Sequence, residues 1–358
     1  MDCKDNRVQR AFLTSSAAKE LSTGHSFAFL HNTMQEFWAA LFLLMTPGNI
    51  TAVLQQCQTE EGKYLKYIVS FLCGLLSSDI AELINCVVPE DQIREISDIY
   101  LEKVIDTFLS PATLQGHDES HTELDADLLF VCQCLYERQS PEACSLLLQK
   151  VEYELDLNGQ YLDPQQCCAV SYVINQSKNR NVCLYLNDCT FSDPGLRLIL
   201  GSLKNLQCLR LDPTTQCQLW KAALHSGNPS DSEGLLRLCE YEIHLRVKEQ
   251  RDQKVWERVG EVLKRKRPEK VKLCLHLVDN SLHAADSLGK SIFDCLPSIE
   301  AIRFNDCILI QYDDTKGTIE GLLKLFCFAK QHQPETGEET LRMLSTVCSY
   351  SNFPFASG

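Results

Sequence analysis

The chain has 358 residues, 44% of them hydrophobic, with 34 basic against 48 acidic side chains and a formal net charge of -14. That apolar share supports two or three packed domains and excludes a globally disordered chain. The acidic balance excludes a general nucleic-acid binder, which would present a basic surface, so nucleic acid is not an expected partner.

Residues 1–24 are polar and weakly periodic and read as the end of something longer. From Ser26 the pattern changes. Met34, Phe37, Trp38 and Leu41 recur at three and four, which predicts an amphipathic helix. Thr33 is placed to cap it, with Glu36 as the capping-box partner, and Pro47-Gly48 to stop it. The same period predicts helices over 64–76, 90–109, 124–138 and 141–154, with a charged loop over 116–127. Pro141 and Glu142 suit a helix start. Residues 25–150 therefore read as an α-helical domain.

After Val151 the period shortens to two. Leu155-x-Leu157 opens a strand, and further strands are expected near Leu184, Leu209, Ile243, Leu275 and Ile302, with helical segments between them. The phrase Leu184-Tyr185-Leu186-Asn187-Asp188-Cys189 returns as Ile302-Arg303-Phe304-Asn305-Asp306-Cys307. Its alternation suits a strand, and a small polar or thiol residue at its end can satisfy backbone groups where the strand bends away. This is the leucine-rich-repeat signature, of the longer, ribonuclease-inhibitor-like class. Gln160 stands at that turn position in the opening unit, and Thr214 and Lys248 stand there in the less regular units at Leu209 and Ile243. Gly227–Gly234 reads as a loop insertion. Repeats are expected over 151–335, then a partial cap and a disordered tail over 336–358. The fold class is thus α/β: an α-helical domain followed by a solenoid with parallel strands on its concave side and helices on its convex side.

Cysteine is frequent, with 19 residues. They form neither a C-x-x-C pair nor a zinc-spaced Cys/His cluster, so reduced core thiols are expected and no metal site. The chain start, Met1-Asp2-Cys3-Lys4-Asp5, lacks a secretory layout, and apolar runs such as Phe37 to Met45 are too short to span a bilayer. Cytoplasmic residence without membrane insertion follows as the expectation.

Two segments carry a family resemblance. Phe27-Ala28-Phe29-Leu30-His31 and Gln35-Glu36-Phe37-Trp38-Ala39-Ala40 together resemble the F-x-F-x-H-x-x-x-Q-E-F-x-A-A phrase of NOD-like receptors. In that family the phrase closes the winged-helix part of the NACHT ATPase module and opens a second helical domain. Helices and then repeats follow here in the family's order, and the cysteine-rich repeats are similar to those of the NACHT receptor expansions in fish. The resemblance implies that residues 1–24 are a winged-helix remnant. It implies that His31 matches the histidine that reaches the ADP phosphate, a vestigial contact here. It also implies proteins as partners, receptor self-association among them.

The chain departs from the family in lacking any G-x-x-x-x-G-K-[ST] loop. Gly62-Lys63 has neither the upstream glycine nor the following hydroxyl that a phosphate cradle needs. No cofactor is expected, ADP or ATP belonging only to a full-length receptor. The Cys, His and Asp residues show no local catalytic signature, serine has no G-x-S-x-G setting and H-E-x-x-H is missing, so an enzyme is not expected. The candidate partner-binding residues are the polar ones between the strand apolar residues: Asp156, Tyr185, Arg210, His244, His276 and Arg303. Lys264-Arg265-Lys266-Arg267 reads as a cationic helix end stopped by Pro268. Two alternatives stand beside the receptor reading: a ribonuclease-inhibitor-like protein inhibitor, and a fragment of an ATP-dependent receptor switch.

Overall fold

The computed structural model describes residues 13–15, 27–29, 31–109, 122–177, 182–247, 253–265, 270–277, 295, 298–306 and 348–349. By compactness the chain divides into Met1–Glu152 and Tyr153–Gly358.

The first unit opens with a short antiparallel ladder of β1 (Leu13–Ser15) and β2 (Phe27–Phe29). Helices follow: α1 (Asn32–Met45), α2 (Ile50–Gln56), α3 (Lys66–Leu75), α4 (Ala81–Ile84), α5 (Glu90–Phe108), α6 (Thr122–Arg138) and α7 (Pro141–Lys150). The start of α1 differs from the expected one. His31, not Thr33, is its extended N-cap residue, and the Thr33 hydroxyl hydrogen-bonds the His31 imidazole instead of capping the backbone.

The longest helix among the described residues, α5, shows why these segments are helical. Glu90 and Asp91 occupy its first turn, where acidic groups favour the helix dipole. Ile93, Ile96, Tyr100, Val104 and Phe108 form one buried stripe. The core of the unit packs α1 on α3, α3 on α6, and α5 on α6 and α7. At its margin the half-buried Lys66 reaches Asp127 at 2.5 Å and lies 5.4 Å from the ring centres of both Phe108 and Phe130. Those two rings meet edge to face at 4.9 Å, so the cation is held by a carboxylate and two aromatic faces.

No single described helix is long and apolar enough to cross a membrane. The bent pair Asn32–Met45 and Pro47–Gln56 passes that test only in combination, with a 110° break. Its Ala40, Leu41, Leu44 and Leu54 are buried within the protein.

The second unit is mixed α/β with short parallel strands. In chain order it runs β3 (Glu154–Asp156), β4 (Tyr161–Leu162), α8 (Pro164–Gln176), β5 (Val182–Tyr185), β6 (Thr190–Phe191), α9 (Asp193–Ser202), β7 (Leu206–Arg210), α10 (Pro213–Ser226) and α11 (Pro229–Leu238). It continues through β8 (Glu242–Val247), α12 (Gln253–Lys264), β9 (Val271–Leu277), β10 (Ile299–Asp306) and β11 (Cys348–Ser349). The strands form two parallel ladders, β3-β5-β7 and β8-β9-β10-β11, with a small side ladder of β4 and β6. The expected helix at 318–330 and the tail at 351–358 lie outside the described residues, as does the expected helix at 282–296 apart from Cys295, a buried turn residue.

Turn chemistry ties the first ladder together. The Cys189 thiol donates to the Leu157 carbonyl at 2.9 Å, and the Asn187 N–H donates to Asn158 Oδ1 at 2.6 Å. In the next unit Thr214 was the expected turn residue, but Asp212 does the work. It caps α10 by accepting from the N–H groups of Thr214 and Thr215 at 2.7 and 3.1 Å, and it accepts from Asp188 N–H of the preceding turn at 2.8 Å. Burial alone would raise its pKa, but these bonds and the one from the Thr215 hydroxyl outweigh burial and lower it. A lowered carboxylate pKa stabilises the fold above the unfolded value near 3.8 and loses that contribution as pH falls through the lower folded value. Asp212→Ala is therefore expected to cost about 1–2 kcal/mol at neutral pH. Urea unfolding of the two proteins will show the gap narrowing in acid.

The expected loop insertion at Gly227–Gly234 is a helix start. Gly227 takes a left-handed φ of 67° that ends α10, Asn228 accepts from Ser230 N–H, and Pro229 opens α11. With α11 in place, two helices separate β7 from β8, and those two strands belong to different ladders.

Each ladder begins with the same phrase. Glu152-Tyr153-Glu154-Leu155-x-Leu157 recurs as Glu240-Tyr241-Glu242-Ile243-x-Leu245, each after a ten-residue helix with proline at its first position. In both copies the Glu-Tyr pair takes positive φ, 52° and 64° in the first and 51° and 61° in the second. Both tyrosine carbonyls accept from the following strand, Tyr153 from Cys183 N–H and Tyr241 from Lys272 N–H, each at 2.9 Å. The phrase is a strand starter used twice.

Candidate functional site

On the first ladder the outward row begins with Glu154 and Cys183 as register partners, then Asp156, Tyr185 and Arg210. Leu155, Leu184 and Leu209 alternate with them and point into the core. Asp156 and Arg210 are exposed and Tyr185 is half-buried, so the three predicted residues line up side by side on an accessible surface. Partial burial, then the hydrogen-bonded Glu154 carboxylate, push the Tyr185 phenol above its ordinary pKa. Cys183 and Cys208 face each other across β5 and β7, and burial followed by the neighbouring Cys208 raises the Cys183 pKa.

The second ladder is different. Its register pairs Ile243 with Leu273 and Ile302, so the row containing His244 continues through Cys274 and Arg303. The predicted phase, with Leu275 opening the unit and His276 in line with His244, is off by two residues. His276 instead pairs with Arg246 and Asn305. Both histidines are buried, His244 to 6% exposure and His276 to 2%, and so neither adds to an exposed docking row. The side chain of Arg303 lies outside the described ones.

These buried groups contact one another. His244 Nδ1 lies 2.9 Å from His276 Nε2, and His244 Nε2 lies 3.4 Å from Glu242 Oε2. The other Glu242 oxygen lies 3.5 Å from Lys272 Nζ. Burial, then the neighbouring His244 and Arg246, push the His276 pKa down to about 4. Among the described residues, Glu242, His244 and Cys274 are the set whose donor atoms converge closely enough to hold a metal ion. Sequence reasoning missed this because the two strands lie about thirty positions apart. The local signal was there: Glu242-x-His244 and Cys274-x-His276 each put two donors on one face of a strand.

His31 is exposed at the start of α1. Gly62 and Lys63 sit in a tight 3-10 turn, where Lys63 pairs with Glu60 at 2.6 Å. That acid beside the lysine is the opposite of an anion cradle. A cleft of about 840 Å³ lies between α9 and α11, lined by Lys204, Glu233 and Arg237 among others. Its Arg237 donates to the Leu203 and Leu206 carbonyls at 3.0 and 3.1 Å and so braces the turn before β7.

The described cysteines form no disulfide. Burial raises the thiol pKa of Cys57 to about 11 and of Cys132 to about 12, which makes them inert core groups, not nucleophiles.

No family model matches the chain. A stretch of 190 residues, 50% of the chain, is 25% identical to Protein NLRC5 of Ictalurus punctatus. The chain spans about 10% of that relative's length.

Proposed function

We propose that the chain is a non-enzymatic, cytoplasmic protein-interaction module resembling the C-terminal part of an innate immune NOD-like receptor. In this reading a helical domain leads into leucine-rich repeats of the ribonuclease-inhibitor type, and the repeats sense or scaffold other proteins. The similarity to Protein NLRC5 over half the chain supports it, as does the Phe27–Ala40 phrase. The observation that carries it is the in-register row of Asp156, Tyr185 and Arg210, presented on parallel strands with leucines packed behind. Aromatic and arginine side chains on such a rigid row are the usual anchors of protein interfaces. No cofactor is required for this work, and binding on the row would act by favouring one receptor arrangement over another.

The test is co-expression with an intact receptor of this family linked to a transcriptional reporter. The expected result is a dose-dependent change in reporter output that Tyr185→Ala with Arg210→Ala abolishes. Two anchors at about 2 kcal/mol or more each correspond to a loss of about thirtyfold or more in affinity per residue. An unchanged reporter at several-fold excess of the chain counts against the proposal.

A further inference from the structure

We propose that the start of the second ladder is a divalent transition-metal site, with Glu242, His244 and Cys274 as ligands and His276 as the group that orients His244. The inference is independent of the receptor reading.

One donor atom each from Glu242, His244 and Cys274 lies within 4.8 Å of the others. Ligands around a tetrahedral ion with bonds of about 2.0–2.3 Å stand roughly 3.3–3.8 Å apart, so a small contraction completes the site. The strand geometry supplies this closeness. Glu242 and His244 are two apart on β8, and Cys274 is the register partner of His244 on β9, so all three leave one face of adjacent strands. His244 Nε2 faces Glu242 Oε2 at 3.4 Å, which makes Nε2 the ligating nitrogen. Its Nδ1, 2.9 Å from His276 Nε2, is then the N–H that donates to a second group. Metal-bound histidines are commonly held in this way, the outer partner fixing tautomer and ring orientation.

Chemistry selects the ion. A thiolate, an imidazole and a carboxylate form a borderline-soft set that suits Zn²⁺ and not Mg²⁺ or Ca²⁺. The two anionic ligands neutralise the ion's two charges, so the buried complex carries no net charge that burial would penalise. Three protein ligands leave a fourth position for water or another donor. The first ladder offers a contrast at the matching starter. There Glu154, Asp156 and Cys183 share one face of adjacent strands but include no histidine, the two carboxylates are exposed, and among the described residues their donor atoms do not form a converging set.

The experiment uses the full chain with Zn²⁺ or Co²⁺ alone. Native mass spectrometry after dialysis against Zn²⁺ is expected to show one ion per chain. Co²⁺ is expected to give a tetrahedral absorption spectrum with a thiolate charge-transfer band. Cys274→Ser should remove that band and Cys208→Ser should keep it. His276→Gln should keep it but weaken affinity about 10–100-fold, the usual cost of an outer-shell change. Absence of stoichiometric uptake, or a band that survives in Cys274→Ser, overturns the proposal. Should Cys274→Ser fail to fold, X-ray absorption at the zinc edge of the unaltered protein decides. One sulfur among nitrogen and oxygen neighbours supports the site, and a sulfur-free shell overturns it.

Discussion

Trp220→Ala is expected to lower folding stability by about 3–5 kcal/mol, the range for deleting a fully buried large aromatic side chain. Trp220 has no solvent exposure, and its helix α10 packs against β8. The loss has two parts. One is the unfilled volume, which neighbours close only in part. The other is polar: Trp220 Nε1–H donates to the Glu242 carbonyl at 3.1 Å, and the variant loses that hydrogen bond. Trp220→Phe separates the two. It keeps much of the apolar volume and removes the N–H, so it should cost about 1–3 kcal/mol. Urea unfolding followed by far-ultraviolet circular dichroism measures both, and equal losses for the two variants would refute the division. Because Glu242 begins the second ladder, the larger variant should also disturb β8 first.

Gly62→Ala should be nearly as damaging, for a steric reason. A methyl group there would stand 2.0 Å from the Gln56 carbonyl oxygen and 2.7 Å from its carbon, and both are main-chain atoms that cannot rotate away. The turn is fixed from several sides: Gly62 N–H donates to the Thr59 carbonyl at 3.0 Å, and the Thr59 hydroxyl donates to the Gln56 carbonyl at 2.8 Å. Relieving the clash means opening the link from α2 to α3, and the expected cost is about 3 kcal/mol, the upper end for overpacking. Gly48 supplies the control. It is exposed and a methyl group there meets nothing within 4 Å, so Gly48→Ala should change stability by no more than about 0.5 kcal/mol. Thermal melts of the pair test the claim. It fails if Gly62→Ala melts with the parent protein.

A signal carried by neighbouring residues can be read from a sequence, and one carried by strand pairing cannot. The buried stripe of α5 was legible because a 3.6-residue period needs no partner to be recognised. The faces of the strands were legible for the same reason. Their register was not. Val271-Lys272-Leu273-Cys274-Leu275-His276-Leu277 alternates perfectly, so Leu273 and Leu275 fit a unit start equally well, and only pairing with Ile243 and Ile302 decides. That shift of two hid Cys274 from the candidate row. At Gly227–Gly234 two local signals compete. Two glycines suggested a loop, while Asn228 followed by Pro229 was a helix-start signal of equal strength. At α1, Thr33 and Glu36 looked like a capping pair, but the hydroxyl had a closer partner in the His31 ring.

The break between β7 and β8 bears on how such a chain tolerates change. No main-chain ladder bond joins those strands, and each side of the seam opens with its own Glu-Tyr starter. That junction is secured by side chains such as Trp220, so an insertion there would leave the opening residues of both ladders in place. Within Tyr153–Gly358 each ladder is thus a short cassette that carries its own opening residues.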